Sequence, residues 1–563
     1  MTYSPRVADQ VRGQSPMAGL DRRNLGPMQV FAQSVSGAAP AAAMAVIPAI
    51  VAANAGSATI WSLAIATGLA LLVAGCIGQF TRRMAAAGSL YSLTAKGLGA
   101  RAALLCGTGL MTGYALLGMG SLTGAAMQTA ALLARLGLPG ADSPVVAAVL
   151  VVLLAGLVAA CTVRGVRLSA GVVLLVEALS ITLMLVVFGV LLVSHGIAPD
   201  TRQLAPSGVD VGGVIAGVLP ALGAFIGFEA AAAMGVEARR PFRTIPRAVR
   251  STAALTGVLS LLAAYTQVAG FAEVPGGLAG EAEPVRTLAA GEQLPWLSAL
   301  LDVGLATSFL ACAVATTTSL ARLLFTMGRE GVLPPVLGTA HRRFRTPHVA
   351  IAAALPVLAV VPVLLFAGGL TPARALVPLL VTSALGYLVA YLLVCLAAPV
   401  FLHRIGELTP GAVLATCVIV PVLLVVLAAF VSTAPVSVAA LVTAGVLLVA
   451  GGRYLWLRAR HPERLAAVGA YDETSAADLL GTPPLHWTAP LRRALPGPDQ
   501  SSEPTLPGPG PAEPTLPGPV RFSGPPESGP ERPGGPPESG PGQPGRPPES
   551  GSDQPSGPPE PDR

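Results

Sequence analysis

Long and nearly uncharged apolar stretches recur along the first 460 residues of this chain, and they restrict its fold more than any other feature. A helix needs about 20 apolar residues to cross the hydrocarbon core of a bilayer, and each stretch is long enough to do so. Charged residues make up only 11% of the chain, against roughly 25% in a soluble globular domain. We therefore predict an all-α integral membrane protein.

The distribution of arginines predicts how the chain is oriented. With about twelve spans and a cytoplasmic amino terminus, most arginines fall into loops on the cytoplasmic side, as the positive-inside rule requires. The opposite side receives few arginines and an acidic loop within residues 273–292. We expect a multi-pass protein of the cell membrane with both termini in the cytoplasm.

Composition divides the chain into four predicted parts. Residues 1–25 form a polar cytoplasmic segment, 26–460 the transmembrane domain, 461–493 a juxtamembrane segment and 494–563 a Pro/Gly-rich tail. The tail repeats the sequence Pro-Pro-Glu-Ser-Gly and has few aromatic residues, so it cannot bury enough surface to fold. We expect it to be disordered, either as a spacer or as a docking segment for a protein partner.

Several functional classes are disfavoured by the residues. The six cysteines lie in apolar segments without Cys-x-x-Cys spacing, which is typical of small buried hydrophobes rather than metal ligands or disulfides. The single lysine, Lys96, precedes a glycine instead of following one, so the phosphate-binding loop of an ATP-driven pump is missing. We predict no enzymatic activity, no cofactor, no bound metal and no nucleic-acid partner.

Two predicted spans contain clusters of residues that interrupt helices, at 34–40 in the first span and 223–229 in the sixth. Either cluster alone could be a packing kink. The first and sixth spans correspond in an arrangement of five plus five helices, and such a pair of broken helices typically forms a transporter's binding site. We therefore predict substrate contacts at these positions and at one aromatic in the third span: Ser34, Ser36, Gly37, Ala38, Phe225, Ile226, Gly227 and Tyr114.

Three blocks resemble the amino acid–polyamine–organocation permeases. These are Gly-Phe-Glu at 227–229 with Glu-Ala-Arg-Arg-Pro at 237–241, the Arg-x-x-x-x-Met-x-Arg block within 321–334, and Arg82-Arg83 with the following loop. The resemblance covers roughly residues 25–460 and implies the LeuT-type fold of two inverted five-helix repeats plus two helices. The sequence departs from the family at Ser36-Gly37-Ala38, where Gly-Ser-Gly is frequent, and at Gly223, where some members have an aromatic.

The resemblance implies a secondary active transporter that moves neutral or small amino acids by alternating access, either coupled to protons or by exchange. The alternatives are transport of a polyamine or another organic amine, and a membrane sensor of amino acids that transports nothing. Its partners would be the small-molecule substrate and the lipid bilayer, and we expect a monomer or homodimer.

Buried polar residues are the candidates for ion coupling. Glu229 is a carboxylate in the middle of a span, which is costly enough to indicate a function, and we predict that it takes up and releases a proton. Glu177 in the fifth span is the second candidate, with a purely structural hydrogen bond as the alternative. Thr317 and Thr318 could offer hydroxyls to a sodium ion, although such runs commonly bond to their own helix backbone. We therefore favour H⁺ over Na⁺.

Overall fold

A computed structural model describes residues 19–141, 143–194, 210–272, 274, 277–281, 283–291, 295–433 and 438–469. These residues form helices, 3₁₀ turns and loops, and the part of the chain that they comprise contains no β-strand. The predicted tail at 494–563, residues 1–18 of the amino-terminal segment and residues 470–493 lie outside the described residues. The prediction of an all-α protein is confirmed.

The helices are numbered here in chain order. They are α1 Pro27–Ala38, α2 Pro40–Ala55, α3 Thr59–Thr81, α4 Leu90–Leu98, α5 Ala100–Arg135, α6 Pro144–Val163, α7 Val166–Ser194, α8 Val211–Leu222, α9 Pro241–Gly270, α10 Pro284–Gly291, α11 Pro295–Arg329, α12 His348–Ala367, α13 Pro372–Arg404, α14 Pro410–Thr433, α15 Val438–Arg460 and α16 Pro462–Ala466.

Ten stretches of the described chain are long and apolar enough to cross a membrane. The first, Pro27–Thr81, has 55 residues and includes α1, α2 and α3, so it covers the first two predicted spans. The count of about twelve spans stays a prediction. The long helices α5 and α11, of 36 and 35 residues, pack against each other, and α13 packs on α5 as well. The broken helices pack chiefly on other elements, α1 against α7 and α9, and α8 against α2 and α3.

Both predicted helix interruptions are present. In the first span α1 ends at Ala38 and α2 begins at Pro40, because proline lacks the N–H that would continue the helix and disfavours helical backbone at the residue before it. Ala39 between them is left-handed, with a φ of 46°. In the predicted sixth span α8 ends at Leu222, and one 3₁₀ turn lies on each side of Gly227, whose φ is 90°.

Loops that the arginine pattern assigned to one side of the membrane lie together. The backbone N–H of Leu25 donates to the carbonyl of Glu237 at 2.9 Å, so the amino-terminal segment meets the loop before α9. Arg83 after α3 forms an ion pair with Glu407 after α13 at 2.6 Å. We call this side, with Leu25 and these loops, the N-terminal face.

Candidate functional site

The two helix interruptions cross at Gly37 and Gly227. A Cβ atom added to Gly37 would lie 2.5 Å from the carbonyl oxygen of Gly227, and one added to Gly227 would meet the carbonyl of Gly37. The hydroxyl of Ser34 also donates to the carbonyl of Phe228. The two broken segments are therefore fitted to each other backbone against backbone, and glycine is required at the crossing because any side chain would separate them.

A cavity of about 570 Å³ ends at this crossing. It extends along α2 as far as Asn54, near the end of that helix farthest from the N-terminal face. Its wall is formed mainly by apolar side chains of α2, α5, α8, α11 and α13, with a few hydroxyl, thiol and amide groups. None of the described residues that line it carries a charge. The cavity suits a small ligand with an apolar part.

Two helix ends of opposite polarity meet at the bottom of the cavity. The amino end of α2 contributes Ala39, Ala42 and Ala43 to the lining. The N–H of Ala39 donates to the carbonyl of Val35 and that of Ala43 to the carbonyl of Ala39, both at 3.0 Å, so of these three only Ala42 belongs to the first-turn residues whose N–H has no partner within its own helix. The carboxyl end of α8 contributes Pro220 and, just beyond it, Gly223. A helix amino terminus attracts negative charge and a carboxyl terminus attracts positive charge. The cavity bottom is therefore polarised although its side chains are uncharged.

Glu229 lies just beyond the crossing, towards the N-terminal face, and is fully buried. Its two carboxylate oxygens accept hydrogen bonds from the hydroxyls of Tyr391 at 2.6 Å and Tyr114 at 2.9 Å. Ser89 is 3.3 Å from the Tyr114 hydroxyl, and the Tyr387 ring packs edge-on against Tyr114. Glu229 thus joins the broken sixth span to both α5 and α13.

Tyr391 was missing from the sequence prediction, although the sequence contains a signal for it. Tyr387 and Tyr391 are four residues apart within one apolar span, so both lie on the same face of α13. Two tyrosines on one face of a span indicate polar tips that need a partner in the protein interior. That partner could not be identified from spacing alone.

Glu177 occupies a different environment. It is buried in α7, and its Oε1 atom accepts a hydrogen bond of 3.2 Å from the hydroxyl of Ser308 on α11. Its Oε2 atom has no hydrogen-bond partner among the described residues. The side chain is thus only half satisfied, and its role in proton coupling stays a prediction.

The hydroxyl run on α11 packs against α1. Thr317 and Thr318 are both buried, and the preceding Thr316 donates to the carbonyl of its own helix residue Cys312 at 2.7 Å. The neighbouring Ala315 carbonyl accepts a hydrogen bond of 2.8 Å from the side-chain amide of Gln33 on α1. Sequence analysis did not single out Gln33. Within the described chain, no group of three His, Cys, Asp or Glu side chains is placed to hold a metal ion.

The other predicted substrate contacts are distributed around the crossing. Ala38 and Ile226 line the cavity. Ser36 is buried, and its hydroxyl has no hydrogen-bond partner in the described structure. Phe225 and Tyr387 line a small apolar space beside the cavity, and the two spaces share Gly223 and Ile226 in their walls. Tyr114, as described above, contacts Glu229 rather than the cavity. The contacts of these residues with a substrate stay predictions.

A buried ion pair separates this region from the N-terminal face. The guanidinium of Arg322 on α11 binds both carboxylate oxygens of Glu237, at 2.7 and 2.9 Å, and both side chains are almost fully buried. Arg23 of the amino-terminal segment donates to the carbonyl of Gly235 at 3.0 Å. The passage from Glu229 to the N-terminal face is therefore closed by paired side chains and by the amino-terminal segment.

Comparison with known proteins identifies relatives. A family model described as amino acid permease matches residues 25–451. The branched-chain amino acid permease BcaP of Bacillus subtilis is 26% identical over 141 residues, which are 25% of this chain and 30% of that protein. The methylthioribose transporter of the same organism is 27% identical over 317 residues, 53% of this chain and 65% of that protein.

The low-affinity putrescine importer PlaP of Escherichia coli is 26% identical over 300 residues, covering 52% of this chain and 64% of the importer. The chain thus spans between 30% and 65% of the length of these three relatives. Among solved structures, it is similar to a manganese transporter of Eremococcus coleocola with a TM-score of 0.47 and 14% identity, over 77% of this chain and 95% of that one. A likeness of that size does not bear on the substrate.

Proposed function

This chain belongs to the amino acid permease family, and we propose that it carries neutral amino acids with small or apolar side chains across the cell membrane by alternating access. It is a multi-pass membrane transporter by its family and its apolar helices. The observation that carries the proposal about the substrate is the uncharged cavity that ends where helix ends of opposite polarity meet.

The polarity of the cavity bottom matches a zwitterion. The substrate carboxylate would bind at the amino terminus of α2, where N–H groups and the helix dipole favour negative charge. The substrate ammonium would lie towards the carboxyl end of α8, where carbonyls favour positive charge. The apolar wall around Val46, Ile47 and Leu117 would then receive the side chain.

A polyamine or another organic amine is the second candidate, and the likeness to a putrescine importer favours it. A diamine has two positive charges and no carboxylate, so its binding site would need acidic side chains. None of the described residues that line the cavity is acidic, and both oxygens of Glu229 already accept hydrogen bonds from tyrosines. The neutral amino acid therefore fits this cavity better.

We propose that Glu229 is the proton-coupling residue and that Glu177 is the alternative. Movement of the broken sixth span relative to α5 and α13 would separate Glu229 from Tyr114 and Tyr391, whose hydroxyls hydrogen-bond it here. The carboxylate would then need water or a proton to replace those bonds. Proton uptake and conformational change would thereby be coupled in one residue.

For orientation, we propose that the N-terminal face is cytoplasmic. The loops at this face carry most of the arginines, including Arg82 and Arg240, and the positive-inside rule places such loops in the cytoplasm. The cavity would then face the outside, while the Glu237–Arg322 pair would close the cytoplasmic side.

Uptake of labelled solutes into proteoliposomes tests the proposal about the substrate. Purified full-length protein would be given leucine, valine, alanine, lysine and putrescine, each with and without an inward proton gradient. We expect uptake of the neutral amino acids, accelerated by the gradient. Uptake of putrescine or lysine without the neutral amino acids would contradict the proposal, and binding without uptake would indicate a sensor.

A variant in the cavity wall checks where the substrate binds. Ala43→Leu places a larger side chain in the lining, so leucine uptake should fall more than alanine uptake. Ala353→Leu is the matched control, because Ala353 is exposed on the outer surface of α12. Equal loss of leucine and alanine uptake in Ala43→Leu would argue against this cavity as the binding site.

A further inference from the structure

A second cavity, of about 490 Å³, lies at the N-terminal face. The amino-terminal segment contributes Asp21 and Leu25 to its wall, beside Glu237 from the loop before α9. The rest of the wall comes from the loop between α6 and α7 and from the loop before α12. These two loops are joined to each other, because the hydroxyl of Thr346 donates to the carbonyl of Val163 at 3.0 Å. The cavity is therefore built by several elements that hydrogen bonds hold in place.

Arginine is the main charged residue of this wall. Arg164, Arg343 and Arg345 all line the cavity and are exposed. The described lining also contains two acids, Asp21 and Glu237. Glu237 is already neutralised by its ion pair with the buried arginine of α11. Three guanidinium groups therefore share one remaining carboxylate, that of Asp21.

This carboxylate is a weak partner for the arginines. Its Oδ1 atom lies 4.0 Å from the guanidinium of Arg345, at the limit of an ion pair, and both side chains are well exposed. Its Oδ2 atom accepts a hydrogen bond from the side-chain amide of Asn24. Neither Arg164 nor Arg343 forms an ion pair with another of the described residues. The cavity thus holds positive charge that the described chain leaves without a counter-charge.

The surplus charge matches the chemistry of a phosphate group. The planar N–H groups of arginine pair with phosphate oxygens, and a phosphate monoester carries a charge of about −1.5 to −2 near neutral pH. Three arginines less Asp21 leave a charge of +2. Gly165 in the lining directly precedes Val166, where α7 begins, and a helix amino terminus also favours negative charge. A carboxylate would neutralise only half of the surplus.

We propose that this cavity binds the phosphate group of an anion at the N-terminal face. Two sources share this chemistry, a soluble phosphate compound and the headgroup of an anionic phospholipid, which basic pockets on the cytoplasmic side of membrane proteins also bind. The site is separate from the substrate cavity and holds whichever solute is carried. It depends on the proposed orientation only for the leaflet that would supply a lipid.

The positive-inside rule explains why arginines lie on this face, but not why they line one cavity. Arg164 and Arg343 come from loops about 180 positions apart in the chain, and both reach the same space. The exposed arginines of this face would otherwise be expected to point separately into water. Their shared cavity is what indicates a ligand.

Thermal unfolding in nanodiscs tests the site and identifies the source of the phosphate group. Full-length protein would be placed in phosphatidylcholine and titrated with inorganic phosphate, or placed in a mixture of phosphatidylcholine and phosphatidylglycerol without phosphate. A ligand that binds the folded protein raises the melting temperature as its concentration rises. Stabilisation by inorganic phosphate in the neutral bilayer assigns the site to a soluble compound. Stabilisation by phosphatidylglycerol alone assigns it to a headgroup.

Variants of the lining should change the affinity in opposite directions. Arg164→Gln removes one guanidinium and should raise the half-saturating concentration of the stabilising anion about tenfold, the effect of losing one charged hydrogen bond. Arg343→Gln should act in the same way. Asp21→Asn removes the competing carboxylate and should lower that concentration. A lost surface charge without a bound anion would not produce both shifts.

Arg82→Gln is the matched control. Arg82 is exposed in a loop of the same face, but it does not line the cavity, so its replacement makes the same change in net charge elsewhere. Phosphate also stabilises proteins generally, because it is excluded from their surfaces. That general effect should be equal in every variant, so the difference between Arg164→Gln and Arg82→Gln reports the site itself.

Three results would overturn the proposal. The first is an unaltered protein that neither inorganic phosphate nor phosphatidylglycerol stabilises. The second is an equal response of Arg164→Gln, Arg343→Gln and Arg82→Gln, since it would show that the cavity contributes nothing beyond net charge. The third is weaker binding in Asp21→Asn. None of these measurements involves uptake, so they stand apart from the outcome for the proposed substrate.

Discussion

The crossing of the two broken helices can be tested by adding a single methyl group. Gly37→Ala would place a Cβ atom 2.5 Å from the Gly227 carbonyl oxygen and 2.9 Å from the Cβ of Ala230. Neither neighbour is the flexible end of a long side chain, so the backbones must move apart. Gly75→Ala in α3 is the matched control, because no atom lies within 4 Å of the position its Cβ would take.

The expected magnitudes follow from packing and from backbone entropy. Overpacking a well-packed interior costs about 1–3 kcal/mol, and a clash with a rigid carbonyl belongs at the upper end. Replacing glycine by alanine inside a helix gains roughly 0.5–1 kcal/mol when there is room. Gly37→Ala should therefore destabilise the protein by about 2 kcal/mol net, whereas Gly75→Ala should stabilise it slightly.

Thermal unfolding of the purified variants, together with initial uptake rates, measures both effects. Gly37→Ala should lower the melting temperature and the uptake rate, whereas Gly75→Ala should raise the melting temperature slightly and leave the uptake rate unchanged. Gly227→Ala should be at least as harmful, since its φ of 90° adds backbone strain to the contact with Gly37. The double variant should cost less than the sum of the single variants, because once the backbones have separated the second methyl finds room.

The reasoning would be refuted by a Gly37→Ala protein as stable and active as the Gly75→Ala control. Strict additivity in the double variant would also count against it, since glycines that do not touch should act independently. Loss of uptake with an unchanged melting temperature would instead indicate that the methyl group blocks the substrate, as the sequence first suggested, and that the two backbones have room to accept it.

Three further predictions concern other parts of the site. Glu229→Gln should insert stably but transport weakly, with uptake that no longer depends on pH between about 5 and 8; a pH profile like that of the unaltered protein would transfer the coupling role to the other buried acid. Glu237→Ala leaves the buried Arg322 unpaired and should cost about 3–5 kcal/mol in unfolding experiments, while Glu237→Ala/Arg322→Met should recover much of the loss. In a protein without native cysteines, a single cysteine at position 281 should be labelled by an impermeant thiol reagent, whereas one at position 240 should be protected from it. Labelling at position 240 alone would reverse the proposed orientation.

The broken helices could be predicted from sequence because their causes are local. Pro40 ends a helix through its own ring and missing N–H, and glycine permits the positive φ found at Gly227. The apolar length of each span is also a local property and could therefore be read from the sequence. The corresponding positions of the first and sixth spans in a five-plus-five arrangement then linked the two interruptions, which local reasoning alone could have taken as separate kinks.

The hydrogen bonds that fix the site could not be predicted, because each joins residues far apart in the chain. Tyr391 and Glu229 are separated by 162 positions, and Gln33 and Ala315 by 282. Periodicity shows which face of a helix is polar but not which helix meets it. Gln33 illustrates the difficulty, since a lone amide in an apolar span has the same appearance whether it binds substrate, a neighbour or nothing.

The contacts found here also bear on how easily the transporter could change state. Three side-chain hydrogen bonds join the broken segments to α5, α11 and α13, namely that of Gln33 with Ala315 and those of Glu229 with Tyr114 and Tyr391. Each intramolecular hydrogen bond contributes only about 1 kcal/mol net, so their sum is a few kcal/mol. Differential binding of a substrate can shift an equilibrium by that amount. Water can replace a broken hydrogen bond, but it cannot replace the close packing of the Gly37 and Gly227 backbones. We therefore expect α1 and the segment around Gly227 to move together as one unit.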